Sequence, residues 1–241
     1  MNDHVETAYS QASILIEVAS DHLSAFVRAI TQPALSISPW SSIRGVLEAA
    51  SISRWLLDAS LQAPGRASRS LQFRCEGLSQ QVKFARVSGD DEYLKGAVRR
   101  LEDVLQHAST HGLELRQDAQ ATPKALLNPM PPTTDLIKDY LGEEAAYRLL
   151  SAMAHAHPWA LGKLAFSAVR ADQPKSLQKT LHIGAIAYMA RLAFKASEAP
   201  IVDKCVLFGW PTGAISASFQ GAIHEFQGIV QDVSGTNTRP A

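Results

Sequence analysis

Apolar residues recur every three to four positions along most of the chain, which is the period of an α-helix. The first such segment extends from about Val5 to Ile30 and predicts a buried stripe of Ile14, Val18, Leu23, Phe26, Val27 and Ile30. Similar spacings predict further helices at about 38–61, 66–87, 90–112, 132–141, 143–156, 176–197 and 212–233. Sustained apolar–polar alternation is absent, so no segment is predicted to be a strand.

Capping and turn residues divide these helices. Asp90 is predicted to cap the N-terminus of the fourth helix, and Gly112 to end it. The one long irregular segment, about 117–132, contains four prolines. The pattern therefore predicts an all-α fold, an irregular multi-helix bundle of about seven to nine helices. We expect one domain over 1–241, with the proline-rich loop between two helical halves.

The charges of the chain balance, with 23 Lys and Arg against 23 Asp and Glu. Without a net positive field, any contact with nucleic acid would have to be local. The third and fourth helices carry a local set of basic residues: Arg66, Arg69, Arg74, Lys83, Arg86, Arg99 and Arg100. A solvated helical face is the simpler explanation of this set.

The cysteines and the apolar runs indicate the compartment. Cys75 and Cys205 lie far apart, without the close pairs of a zinc knuckle or a disulfide scaffold. The chain begins with an acidic segment rather than a signal peptide. No apolar run approaches the roughly 20 residues that span a bilayer. These features predict a cytoplasmic protein without a membrane segment.

Motifs that mark large enzyme classes are absent. The sequence has no phosphate-binding glycine loop, no dinucleotide fingerprint, no nucleophile elbow and no His-Glu-x-x-His motif. His107 and His111 have a metal-compatible spacing, but no third ligand stands near them in the sequence. We therefore predict neither a metal site nor a cofactor, and whether the protein is an enzyme stays open.

The 143–156 helix carries an unusually polar row of side chains. Tyr147, Ser151 and His155 follow one another at intervals of four, and Arg148 precedes His155 by seven. These spacings place all four near one stripe of the helix. The row is a candidate binding site, and a buried histidine that only satisfies a hydrogen bond is the structural alternative.

The second helix offers a complementary set of polar side chains. Arg44 and Glu48 are four residues apart, as are Ser51 and Trp55. If this stripe faces the core, Arg44 and Glu48 form a buried pair, an arrangement frequent at functional sites. Our hypothesis is that Glu48 or Arg44 orients His155, and the alternative is an exposed salt bridge of little energetic value.

Arg148 and His155, with six residues between them, resemble the Arg-x4–6-His signature of HEPN-type helical proteins. Many members of that superfamily are metal-independent ribonucleases, in which the Arg and His of two subunits face each other and polarise a phosphodiester. The resemblance implies these roles for Arg148 and His155 in a homodimer acting on RNA. The Ser151-x3-His155 stretch is also similar to uncharacterised bacterial helical proteins.

Two functions follow from these residues. The first is a binding or interaction protein whose polar pocket recognises a small polar ligand or a protein partner. The residues of that pocket are Arg44, Glu48, Tyr147, Ser151 and His155. The second is the HEPN-like ribonuclease. The ribonuclease needs Arg148 and His155 exposed at a two-fold interface, whereas the binding protein needs His155 turned toward the second helix.

Overall fold

The computed structural model describes residues 2–31, 34–116, 125–168, 177–180 and 182–236, with the side chains of Asn2, Ala168, Leu177 and 229–236 excepted. Within these ranges the helices are α1 (Asn2–Ile30), α2 (Ser38–Leu57), α3 (Ala63–Ser88), α4 (Asp91–Thr110), α5 (Thr133–Leu141), α6 (Glu144–Ala154), α7 (Pro158–Leu164), α8 (Ile183–Phe208) and α9 (Gly213–Thr236). The predicted all-α, multi-helix fold is confirmed.

The described residues also include four short strands, which the sequence pattern does not predict. β1 (Leu115–Arg116) pairs antiparallel with β2 (Ala125–Leu126), and β3 (Phe166–Ala168) with β4 (Leu177–Lys179). Each strand has two or three residues, too few to show apolar–polar alternation in the sequence. Of the predicted proline-rich loop, residues 117–124 lie outside the described part of the chain.

The chain forms two compact units. The first comprises Met1–Ala12 and Trp55–Pro132, and the second comprises Ser13–Arg54 and Thr133–Ala241. The division after Pro132 coincides with the end of the predicted loop, whereas α1 and α2 each contribute residues to both units. That the whole chain is one domain stays a prediction.

The core of the first unit lies between α3 and α4. Apolar side chains at helical spacing meet there: Leu71, Cys75, Val82, Ala85, Ala97, Leu101, Val104, Leu105 and Ala108. Gly89, with φ +71°, ends α3 in the left-handed conformation that favours glycine. Asp90 then caps α4 by accepting a 2.9 Å hydrogen bond from the N–H of Tyr93, which confirms the predicted cap.

The core of the second unit joins α2, α6 and α8. Its members include Trp40, Ile43, Val46, Leu47, Ala50, Tyr147, Leu150, Met153, Ile186, Met189, Ala190 and Ala193. On α2, Arg44 follows the buried Ile43 by one position, and Glu48 follows the buried Leu47. One position is about 100° of rotation, so the two charged residues lie at the edge of the buried face. This edge carries the candidate site described below.

The buried face of α1 differs from the predicted stripe. Ile14, Val18 and Val27 are exposed, whereas the buried residues of α1 include Ala8, Ala12, Ala19 and Phe26. The predicted stripe of α1 rests on the hydrophobicity of the side chains, and isoleucine and valine are more hydrophobic than alanine. Alanine instead fits where neighbouring backbones approach closely, because it adds almost no side-chain volume. The prediction was therefore wrong for three of its six residues.

Helix α8 is longer at its C-terminus than the sequence predicts. It runs to Phe208 through Pro200, whereas the prediction ended near Ser197. A proline inside a helix removes one hydrogen bond and costs about 3 kcal/mol, which the burial of Pro200 helps to offset. None of the helices in the described residues combines the length and the apolarity that a bilayer span requires.

The turn between α6 and α7 holds a strained residue. Ala156 has φ +53°, which is a left-handed backbone conformation. This conformation is energetically unfavourable for a residue that has a Cβ atom. We expect Ala156→Gly to raise the free energy of unfolding by roughly 0.5–1 kcal/mol. Urea unfolding followed by circular dichroism measures this change. Ala154→Gly, in the last turn of α6, is the control and should destabilise; stabilisation by both or by neither would contradict the strain argument.

Candidate binding site

Three side chains of the second unit form a hydrogen-bonded group, here called the Glu48 cluster. Arg44 Nε donates to Glu48 Oε1 over 2.8 Å, and the Tyr147 hydroxyl donates to the same oxygen over 2.8 Å. The Arg44 guanidinium carbon lies 5.7 Å from the centroid of the Tyr147 ring, within cation–π range. The cluster thus joins α2 to α6 through one carboxylate oxygen.

The cluster stands at the boundary between core and solvent. The side chains of Arg44 and Glu48 are 26% and 34% exposed, whereas Tyr147 belongs to the buried core. Ser51, fully buried, donates to the backbone oxygen of Glu48 over 3.0 Å. The predicted Arg44–Glu48 pair is therefore present, and it is half-buried rather than fully buried.

Each of the two donors has a perturbed pKa. Burial alone would lower the pKa of Arg44, but the Glu48 carboxylate and the Tyr147 hydroxyl outweigh it and raise that pKa. Burial, and next the hydrogen bond to Glu48, raise the pKa of Tyr147. At neutral pH the cluster therefore presents a fixed cation and a neutral phenol around the carboxylate.

Tyr147 should accordingly ionise at a higher pH than an ordinary tyrosine. Because the Tyr147 pKa is raised on folding, its contribution to stability is present below pH 10 and lost as pH rises through the folded value. We expect a tyrosinate absorbance titration of the native protein to lose, in Tyr147→Phe, a phenol that ionises above the ordinary tyrosine range. Loss of an early-titrating phenol instead would contradict the assignment.

Tyr147, and not His155, is the residue of α6 that reaches Glu48. His155 is exposed and forms the C-cap of α6, with its ring centroid 6.3 Å from that of His157. In the described part of the chain no hydrogen bond or ring contact joins His155 to α2. Eight residues separate Tyr147 from His155, which is about 80° around a helix, so the two side chains diverge. The hypothesis that Arg44 or Glu48 orients His155 therefore has no support in the geometry.

Ser151 takes an intermediate position on α6. It is half-buried, about 40° around the helix from Tyr147, and its backbone oxygen accepts the N–H of His155. Within the described residues its hydroxyl makes no hydrogen bond to the Glu48 cluster. Of the five predicted pocket residues, the structure thus brings three together and leaves Ser151 and His155 outside the hydrogen-bonded group.

Arg148 and His155 lie on the solvent side of α6. The Arg148 side chain is 68% exposed, and its Nε and Nη2 atoms both lie 2.8 Å from Glu144 Oε1. Seven residues return a helix to within about 20° of the same direction, which explains why His155 is exposed with Arg148. The two residues meet the exposure that the HEPN-like hypothesis demands, but the Glu144 carboxylate partly neutralises Arg148.

Two cavities in the described part of the chain lie away from the Glu48 cluster. One of about 270 Å³ belongs to the first unit and is lined by Ser68, Gln72, Gly112, Leu113, Glu114, Leu126 and Asn128. Another of about 180 Å³ belongs to the second unit and is lined by Glu143, Tyr188, Arg191, Leu192 and Lys195. Neither cavity is lined by a residue of the Glu48 cluster.

The predicted basic set on α3 and α4 does not form one exposed patch. Arg66 is only 3% exposed and donates to backbone oxygens. Arg69 is paired with the carboxylate of Asp58 at 3.2 Å, and its guanidinium lies 5.3 Å from the Trp55 ring centroid. Two of the seven cations are thus committed to internal contacts, which weakens the case for a nucleic-acid surface on α3.

Three histidines of the first unit form a second cluster that the sequence did not reveal. His4, in the first turn of α1, lies beside His107 in the last turn of α4 and beside His111, the residue that caps the C-terminus of α4. One ring nitrogen from each histidine lies within 4.8 Å of the others. The sequence shows the four-residue spacing of His107 and His111. It does not show that His4 lies beside them, because that contact depends on the folding of α1 against the end of α4.

Comparisons with known proteins do not assign the chain to a family. No family model matches it, and neither a curated protein nor a solved structure matches it significantly. The HEPN-like resemblance of Arg148 and His155 therefore stays a prediction. Function has to be inferred from the chemistry of the clusters themselves.

Proposed function

We propose that the protein is a binding protein whose Glu48 cluster recognises a small polar ligand carrying both an N–H cation and an anionic group. The observation that carries this proposal is the convergence of Arg44 and Tyr147 on one oxygen of Glu48. Two opposite charges are thereby held in fixed positions at a half-exposed edge of the core. A zwitterion presents the complementary pair of charges.

The cluster retains hydrogen-bonding capacity for such a ligand. A guanidinium has five N–H donors, and the bond to Glu48 uses the one on Nε. A carboxylate has about four lone-pair sites, and both cluster bonds fall on Oε1. The Nη donors of Arg44 suit a carboxylate or phosphate group, and Oε2 of Glu48 suits an ammonium group.

Tyr147, the third member of the Glu48 cluster, distinguishes it from an ordinary surface salt bridge. An exposed i, i+4 ion pair gains about 0.3–0.5 kcal/mol and needs no residue from another helix. Here a tyrosine from the core fixes the carboxylate by donating a hydrogen bond to it. Charged groups held rigid by packed neighbours are the arrangement that a recognition site requires.

The test uses free α-amino acids as zwitterionic probes, with glycine betaine as a matched probe that has no N–H donor. We expect the wild type to bind at least one amino acid by calorimetry and to bind betaine more weakly. Glu48→Gln should weaken binding at least tenfold, because it removes the charge that faces the ammonium group. Circular dichroism checks that the variant is folded.

Two control variants locate the site. Arg148→Gln alters the exposed ion pair of α6, and Arg191→Gln alters the cavity on α8. Both should bind the probe as the wild type does. Failure of every amino acid to bind, or binding lost in Arg191→Gln and retained in Glu48→Gln, would refute the proposed site.

A second candidate is the metal-independent, HEPN-like ribonuclease. The shared exposed face of Arg148 and His155 favours it, since both side chains are available to a second copy of the chain. In this candidate the two residues of each protomer act on RNA across a homodimer in the cytoplasm. RNA cleavage in EDTA by the wild type, lost in a folded His155→Ala variant, would support it. Equal cleavage by both proteins would exclude His155 from the reaction.

A further inference from the structure

The histidine cluster of the first unit consists of His4, His107 and His111. The ring centroids are 4.9 Å apart for His4 and His107, 4.8 Å for His4 and His111, and 5.1 Å for His107 and His111. The His4 ring stands at 86° to both others, so it meets them edge to face. Three imidazoles thus converge from the first turn of α1, the last turn of α4 and the C-cap of α4.

A hydrogen bond sets the tautomer of His111. Its Nδ1 atom lies 2.9 Å from the backbone oxygen of His107. A carbonyl only accepts, so Nδ1 carries the proton, and the lone pair of the ring is on Nε2. A histidine that donates one ring N–H to a carbonyl while the other nitrogen binds an ion is the usual arrangement at protein metal sites.

His4 is the buried member of the cluster, at 9% exposed, whereas His107 and His111 are exposed. An imidazole ring binds a metal ion through the lone pair of a ring nitrogen. In the described part of the chain the three rings make no ion pair or hydrogen bond among themselves, whereas a shared cation would give all three a partner.

We propose that His4, His107 and His111 form a binding site for a divalent first-row transition-metal ion, with Zn²⁺ the best fit. Imidazole ligands suit Zn²⁺, Cu²⁺ and Ni²⁺, whereas Mg²⁺ and Ca²⁺ prefer oxygen. Three protein ligands leave one position of a tetrahedral ion for water or another ligand. His107 and His111 are exposed, so that position is accessible from solvent.

Binding requires a small contraction of the cluster. Nitrogen ligands at about 2.0–2.1 Å from a tetrahedral ion are about 3.4 Å apart. The three candidate atoms lie within 4.8 Å of one another. Side-chain rotations of His107 and His111 therefore have to shorten the separations between these atoms to about 3.4 Å. Both side chains are exposed and can rotate without displacing the core between α3 and α4. The bound ion would then link α1 to the end of α4 within the first unit.

Calorimetric titration of the untagged, full-length protein with ZnCl₂ tests the site, because a polyhistidine tag would itself bind the ion. We expect one saturable site per chain, weakened at least tenfold in each of His4→Gln, His107→Gln and His111→Gln. The variant His224→Gln, which removes an exposed histidine of α9, should bind as the wild type does. Zn²⁺ should also raise the melting temperature of the wild type more than that of His4→Gln.

Cobalt substitution gives a readout that does not depend on any variant. Co²⁺ in the wild type should show the intense visible absorption of a four-coordinate ion, and Zn²⁺ should displace it. Absence of a saturable Zn²⁺ site in the wild type would overturn the proposal. Zn²⁺ binding that is unchanged in a folded His4→Gln variant would overturn it as well, since the site would then lack its third ligand.

Discussion

Replacing Arg66 by alanine is expected to lower the free energy of unfolding by about 3–5 kcal/mol. Arg66 is buried in the first unit, where Nη1 donates to the Leu56 oxygen over 2.7 Å and Nη2 to the Asp58 oxygen over 3.0 Å. A longer contact of 3.4 Å reaches the Leu61 oxygen. The guanidinium thereby caps the end of α2 and the turn after it, whose carbonyl groups have no helical partner.

Alanine would leave these carbonyl oxygens without their donor, and each such loss costs about 1–3 kcal/mol. It would also remove the stacking of the guanidinium on Tyr9, 5.3 Å from the ring centroid. The free energy of unfolding of Arg66→Lys should lie between those of the wild type and Arg66→Ala, because an ammonium group cannot bind several carbonyl groups at once as the planar guanidinium does. Urea unfolding followed by circular dichroism measures all three proteins.

The matched control for Arg66 is Arg74→Ala, two turns further along α3 and exposed. It should change the free energy of unfolding by no more than about 0.5 kcal/mol. Equal effects of the two substitutions would show that Arg66 contributes nothing beyond an exposed arginine, contrary to its described contacts.

Replacing Trp40 by alanine should lower the free energy of unfolding of the second unit by about 3–5 kcal/mol. Trp40 is 1% exposed, belongs to the core between α2, α6 and α8, and donates from Nε1 to the Ser36 oxygen over 2.8 Å. Removal of the indole leaves a cavity and an unpaired carbonyl group. Arg44 follows one turn later on α2, so the Glu48 cluster should lose order with the core beneath it.

Trp159→Ala is the matched control for Trp40, because the Trp159 side chain is 59% exposed. We expect it to unfold at nearly the wild-type urea concentration and to retain probe binding. Trp40→Ala should unfold earlier and bind the amino-acid probe more weakly. A Trp40→Ala protein as stable as Trp159→Ala would contradict the assignment of Trp40 to the core.

The helices were predictable because their apolar residues keep a regular period and their ends carry capping residues. Asp90 and Gly89 mark the break between α3 and α4 in sequence as clearly as in structure. The failures have physical causes. The buried alanines of α1 give a weaker apolar signal than exposed Ile14, and Pro200 is tolerated inside α8 although local propensity opposes it.

The candidate site was predictable only in part. Arg44 and Glu48 were identified from their i, i+4 spacing, and Tyr147 from its place in the polar row of α6. Which residue of that row reaches α2 depends on the rotation of α6, and no local pattern encodes this rotation. His4 could not be paired with His107 from sequence, because the contact joins α1 to the distant α4.

The central claim is that the Glu48 cluster binds the ligand, and nuclear magnetic resonance of the arginine side chains tests it most directly. The Arg44 Nε–H group, held by Glu48 at 2.8 Å, should give a resonance protected from solvent exchange. Titration with the amino-acid probe should shift this resonance saturably in the wild type and not in Glu48→Gln. A saturable shift of the Arg191 or Arg148 resonance, with that of Arg44 unchanged, would contradict the claim.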